Sequence, residues 1–129
     1  MRSPLAPPLQ DPNAYYLSVT LHGTVMAYVL TTFFAMGFGY AVTASSLDRP
    51  IRGMSAAWIG FGVSLAGTLI AAAIVLSGRA SVLYTFYPPL LASAWYYIGL
   101  ALLVGGSMVW VVLMVVNMAT WKTHPLSRD

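Results

Sequence analysis

Residues Tyr15–Val42 read YYLSVTLHGTVMAYVLTTFFAMGFGYAV and contain no Asp, Glu, Lys or Arg. A run of this length exceeds the roughly 20 apolar residues that cross a hydrocarbon core of about 30 Å. In lipid no water satisfies backbone N–H and C=O groups, so such a run is read as a helix. Its one titratable nitrogen base is His22, followed by Gly23. The other histidine, His124, lies in the polar C-terminal stretch.

Composition extends the same reading to the whole chain. The sequence has 129 residues, 59% hydrophobic and 7% charged, with mean hydropathy +0.77. Soluble domains carry about 25% charged residues, and a small domain cannot bury this much apolar surface by itself. A pI near 9.5 comes from six Lys/Arg against three Asp. That is too sparse for a nucleic-acid footprint, which needs clustered cations. The absence of cysteine excludes disulfides, zinc ribbons, iron–sulfur ligation and thiol chemistry. Met1–Asn13 is polar and Pro-rich, unlike a secretory signal.

Three spans follow, giving an all-α membrane protein. The segments are a polar stretch over 1–14, a transmembrane helix over 15–42, a loop over 43–52, a second helix over 53–76, an outer loop over 77–93, a third helix over 94–120 and a tail over 121–129. The first loop and tail carry Arg49, Arg52, Lys122 and Arg128, against Arg2 and Arg79 on the other side. Positive charge accumulates on the cytoplasmic side, which predicts a cytoplasmic first loop and C-terminus. Tyr15, Tyr16, Tyr84, Tyr87, Trp95, Tyr96 and Tyr97 are then predicted to form an aromatic belt at the outer interface. Small residues (Ala35, Gly39, Gly60, Gly62, Gly67, Gly99, Gly105 and Gly106) predict close helix–helix approach.

His22 lies about seven residues, or roughly 10 Å, inside the first span. An imidazole in lipid is costly unless hydrogen-bonded or ligated. Three roles are open: a hydrogen bond between helices, metal or haem ligation, and a proton relay. No other span contains a histidine, so the chain offers one coordination bond. Haem suits that limit because the porphyrin supplies four nitrogens and imidazole is an axial ligand. Gly23 removes a side chain and lets a flat group approach the helix. On the same side of the membrane lies LYTFYPPL (Leu83–Leu90), stiffened by two prolines. It reads as a rigid interfacial plug, or as a cap whose Tyr hydroxyls, with the planar guanidinium of Arg79, meet the carboxylates of a cofactor.

Two stretches in this order carry a resemblance. SVTLHGTVMAYVLTTFF (Ser18–Phe34) resembles the second transmembrane helix of haem–copper oxidase subunit I, where a T-x-H-G-type histidine binds the low-spin haem. SVLYTFYPPL (Ser81–Leu90) resembles that family's loop between its third and fourth helices. The Leu-Tyr pair before Thr-Phe-Tyr-Pro-Pro is similar to B-type (ba-type) cytochrome c oxidases rather than to the A-type branch. The resemblance runs from about Tyr15 to Trp121, a piece of a bundle of twelve or more helices. It implies His22 as the axial ligand of low-spin haem b, with Gly23, Tyr84, Thr85 and Tyr87 near the haem edge. Arg79 as a propionate partner is a chemical inference without a matching family position. A bacterial or archaeal cell membrane, the remaining helices of subunit I, a subunit II carrying the electron-entry copper and a cytochrome c-type donor are implied with it. So is electron transfer to oxygen coupled to proton translocation.

The departures are as informative. The second axial histidine, the ligands of the high-spin haem and copper, and the cross-linked tyrosine of that family have no counterpart here. Asp48 has no Asn-rich surroundings and reads as a loop residue. The resemblance therefore implies a truncated or split gene or a partial sequence, inactive alone. A nitric oxide reductase-like relative shares the second-helix histidine. The reading from another class is a small three-span scaffold without cofactor, its His22 hydrogen-bonded between helices.

Overall fold

The computed structural model describes residues 11–121. Among them three helices are long and apolar enough to cross a membrane: α1 (Pro12–Leu47), α2 (Met54–Leu76) and α3 (Ala94–Trp121). α1 begins ahead of Tyr15 because Asp11 caps it. The Asp11 carboxylate accepts from Asn13 N at 3.1 Å and Ala14 N at 3.3 Å, and Pro12 occupies the first turn, where no donor is lost. α1 also runs beyond Val42 to Leu47. There Asp48 takes the left-handed region (φ 48°) and ends it, a conformation short polar side chains tolerate. At 36 residues α1 is about 54 Å long, so it tilts or projects beyond the hydrocarbon.

α1 is not α-helical throughout. Thr24–Leu30 forms a π-helical segment between α-helical Pro12–Gly23 and Thr31–Leu47. The Thr31 hydroxyl donates to the Met26 carbonyl, five residues back, at 3.0 Å.

α2 and α3 are the most intimate pair. The buried residues of α2 are Ala57, Gly60, Ser64, Gly67, Ala71 and Val75, one stripe at spacings of three or four. Lipid gives no hydrophobic drive for helix association, so contact between backbones carries it. A Cβ on Gly67 would strike the Gly99 carbonyl, and one on Gly99 would lie 2.7 Å from the Gly67 carbonyl. Gly60 and Gly106 face each other in the same way, with Ser64 beside Gly106. The Ser64 hydroxyl, fully buried, donates to the Leu103 carbonyl at 3.0 Å. Gly62 and Gly105, grouped by sequence with these contacts, have open space where a Cβ would stand. Their angular phase, which composition does not carry, points them elsewhere.

α1 leans on this pair. Trp110 fills the place of a Cβ on Gly39, Thr43 donates to the Met114 sulfur at 3.0 Å, and Phe33 meets Phe61 edge-on at 5.5 Å. The turn between α1 and α2 is held by Asn117 of α3, fully buried. Its side-chain oxygen accepts from Arg52 N at 2.9 Å and its nitrogen donates to Arg52 O at 3.1 Å. Arg49 reaches the Asn117 carbonyl at 2.7 Å. Phe34, Trp58, Ile59 and Leu69 are each about two-thirds exposed, leaving apolar faces for lipid or for further helices.

Candidate functional site

The loop from Ser77 to Ser93 packs inward as well as outward. Its neck is an isolated antiparallel bridge between Ala80 and Ala92, with Ser93 N donating to Arg79 O at 2.9 Å. Ala80 and Val82 are fully buried and join Ala71, Val75 and Tyr96 in a small core, against which Leu17 and Leu21 of α1 pack. Leu83 (φ 60°) and Phe86 (φ 57°) both take left-handed backbone, which costs roughly 1–3 kcal/mol each and needs surroundings that hold it. The Pro88–Pro89 peptide is cis.

Those surroundings are one face of α1. Thr20, fully buried, accepts from Leu83 N at 2.9 Å while donating to Tyr16 O at 2.7 Å. The Tyr84 ring lies on Gly23; a Cβ there would be 2.5 Å from Tyr84 Cδ1. The Tyr28 hydroxyl donates to the Tyr84 carbonyl at 2.7 Å. Thr24 Oγ1 and Tyr96 Oη lie 2.7 Å apart in the interior. Phe86, still exposed, lies between α1 and α3 with Tyr28 at 6.4 Å, Tyr96 at 6.5 Å and Tyr97 at 5.7 Å, beside an open cavity of about 550 Å³ that Tyr28, Phe86 and Tyr97 line.

Tyr96 is therefore no interfacial anchor: it is completely buried, whereas Trp95 and Tyr97 on either side are exposed. Three consecutive aromatics look alike to hydropathy, and only the phase of α3 separates them. The flat group seated on Gly23 is the Tyr84 ring, so the space left by the missing side chain is used by the chain itself.

His22 stands apart from all of this. It follows Thr20 by two residues, about 200° round an α-helix, so it projects away from the face that grips the loop. It is exposed, and its imidazole has no hydrogen-bond partner among the described residues. The hydrogen bond between helices that a scaffold reading requires is absent among them. Tyr84, Thr85, Tyr87 and Arg79 are also exposed. Tyr84 lies against Gly23, the residue after His22, while the Arg79 guanidinium makes no ion pair among the described residues. No cluster of three or more His, Cys, Asp or Glu that could hold a metal ion occurs among the described residues. A single outward imidazole fits a group that supplies its other ligands itself, as a haem does.

Comparison with known proteins decides the family. Residues 1–128 match the family described as Cytochrome C and Quinol oxidase polypeptide I. This chain belongs to the haem–copper oxidase subunit I family. It is 34% identical over 111 residues to cytochrome c oxidase subunit 1 of Thermus thermophilus, covering 85% of this chain and 19% of that protein. It also resembles a cryo-EM structure of a heme-copper terminal oxidase dimer, with TM-score 0.79, 44% identity, and 84% of this chain and 19% of the other covered. The chain thus spans about one-fifth of the length of these relatives. Within subunit I terms it is a three-helix, multi-pass membrane segment, and membership in this family sets aside the free-standing scaffold. The residues that sequence reasoning passed over are Thr20, Thr24, Tyr28 and Asn117. The first three form a hydroxyl stripe at spacings of four, which is a legible signal of one polar face in an apolar helix.

Proposed function

We propose that this chain supplies His22 as one axial ligand of the low-spin haem b in subunit I of a B-type terminal oxidase. The observation that carries the reading is the exposed, unpartnered imidazole on the outward face of a membrane-crossing helix. A polar group so placed requires a partner from outside the described residues, because unsatisfied polar groups in hydrocarbon cost several kcal/mol. When bound, the haem accepts and passes on single electrons. The residues here orient and shield. Thr20 and Tyr28 hold the outer loop on α1, and the Tyr84 ring covers Gly23 beside the ligand.

Tyr84, Thr85 and Tyr87 border the haem edge on the outer side, and Arg79 offers its fork of donors to propionate carboxylates. The B-type assignment rests on the Leu-Tyr pair preceding Thr85. In the whole enzyme this segment would serve electron transfer to oxygen coupled to proton translocation, with a subunit II carrying the electron-entry copper and a cytochrome c-type donor as partners. The high-spin haem and copper take ligands from other helices of subunit I. The location is the cell membrane of a bacterium or archaeon, with Asp48–Gly53 and the C-terminus in the cytoplasm.

The test uses the full-length subunit in its assembled oxidase. His22→Ala is expected to abolish the low-spin haem band in reduced-minus-oxidised spectra while the high-spin haem remains. An unchanged low-spin band would refute the ligand assignment.

A further inference from the structure

The π segment begins two residues after His22, and its effect is on helical phase. Thr24 stands about 40° from Thr20 round an α-helix. If α1 continued as α-helix, Gly39 and Thr43 would stand about 100° and 140° from Thr20, turned off that line. A turn closed five residues on instead of four absorbs one extra residue, returning about 100°. Gly39 and Thr43 then fall at about 0° and 40°, the line of Thr20 and Thr24. The contacts agree: Thr24 meets Tyr96, Gly39 meets Trp110 and Thr43 meets Met114, all on α3. One wide turn keeps both halves of α1 facing the same neighbour, and the half bearing His22 is locked by the other.

Tyr28, inside that turn, adds a local link. Its hydroxyl holds the Tyr84 carbonyl at 2.7 Å. The Tyr84 ring rests on the bare backbone of Gly23, the residue next to His22. Seating is tight enough that even a methyl group at position 23 would displace the ring. We infer that the π turn and the Tyr28–Tyr84 hydrogen bond fix the angle at which His22 is presented. Tyr28 is accordingly a positioning residue for the haem ligand, acting through Tyr84 and Gly23. This rests on the reading of His22 as a haem ligand. π turns recur at functional sites because they re-aim side chains without ending the helix.

The experiment compares Tyr28→Phe, Gly23→Ala, Tyr15→Phe and His22→Ala in the full-length, assembled oxidase. Haem content, the low-spin haem EPR spectrum and its midpoint potential are measured. Tyr28→Phe is expected to retain low-spin haem with displaced EPR g values and a shifted potential. Gly23→Ala reaches the same outcome by pushing the Tyr84 ring away, so the inference stays testable if one variant assembles poorly. Tyr15→Phe, on the exposed outer end of α1, leaves both signals at wild-type values. Wild-type g values and potential in both Tyr28→Phe and Gly23→Ala, with low-spin haem lost in His22→Ala, would overturn the inference alone. Low-spin haem surviving His22→Ala would overturn the ligand reading together with it.

Discussion

Thr24 and Tyr96 face each other with their hydroxyl oxygens 2.7 Å apart, one on α1 and one on α3, in the buried interior of the bundle. One of the two hydroxyls donates and the other accepts, at a site where both residues are buried. Side-chain hydrogen bonds between membrane helices average about 0.6 kcal/mol and reach about 1.7 kcal/mol. Tyr96→Phe and Thr24→Val are each expected to destabilise by an amount in this range. The double variant should cost less than the sum, because the second substitution removes a group already without its partner. Unfolding of the assembled subunit in mixed detergent, read as a double-mutant cycle, measures the coupling. Strict additivity would mean that the pair contributes nothing.

The α2–α3 contact makes a sharper contrast between two glycines on one helix. Gly67→Ala places a methyl group against the Gly99 carbonyl and Leu103 N, where backbone must move, and overpacking of this kind costs about 1–3 kcal/mol. Gly62→Ala meets nothing within 4 Å and gains helix propensity of up to about 1 kcal/mol. Thermal inactivation of the two variants should therefore shift in opposite directions, or downward for Gly67→Ala alone.

Asn117 governs the turn between α1 and α2. Replacing it with Ala leaves both Arg52 N–H and Arg52 C=O without their partner, at about 0.5–1.5 kcal/mol for each hydrogen bond lost. The turn should then open before the helices do. Trypsin cleavage after Arg52 in open membrane fragments is expected to accelerate in Asn117→Ala, with the three helices still resisting digestion.

The spans were legible in sequence because lipid forbids unpaired backbone, so a long uncharged run has one solution. His22 was legible for a related reason: it is the one ionisable nitrogen in such a run. The loop over 77–93 was legible through its Tyr-Pro-Pro-Leu motif. What sequence did not carry was phase. Every face of α3 is apolar, so nothing in Trp95-Tyr96-Tyr97 tells which ring turns inward, and Gly62 reads like Gly60. The π turn has no Pro or other breaker to announce it. It follows from the need to keep Thr24 and Gly39 on one line, a tertiary demand. Asn117 sits in an apolar run as conspicuously as His22 does, but it is uncharged and its partner, the Arg52 backbone, is nameless in sequence.

Topology gives a prediction independent of haem. This chain has no cysteine, so single cysteines introduced here report without background from these helices. Ser46→Cys, near the α1–α2 turn, should react with an impermeant thiol reagent in inside-out vesicles. Ser77→Cys, at the outer end of α2, should react in spheroplasts. The reverse pattern would invert the orientation drawn from Arg49, Arg52, Lys122 and Arg128.

The most direct measurement is a cryo-EM map of the full-length, assembled oxidase at a resolution that separates side chains. The account predicts continuous density from an imidazole nitrogen of His22 to the iron of a haem lying against the outward face of α1, with the Tyr84 ring still seated on Gly23. A low-spin haem held by two other residues, with His22 hydrogen-bonded to protein or turned to lipid, would contradict it.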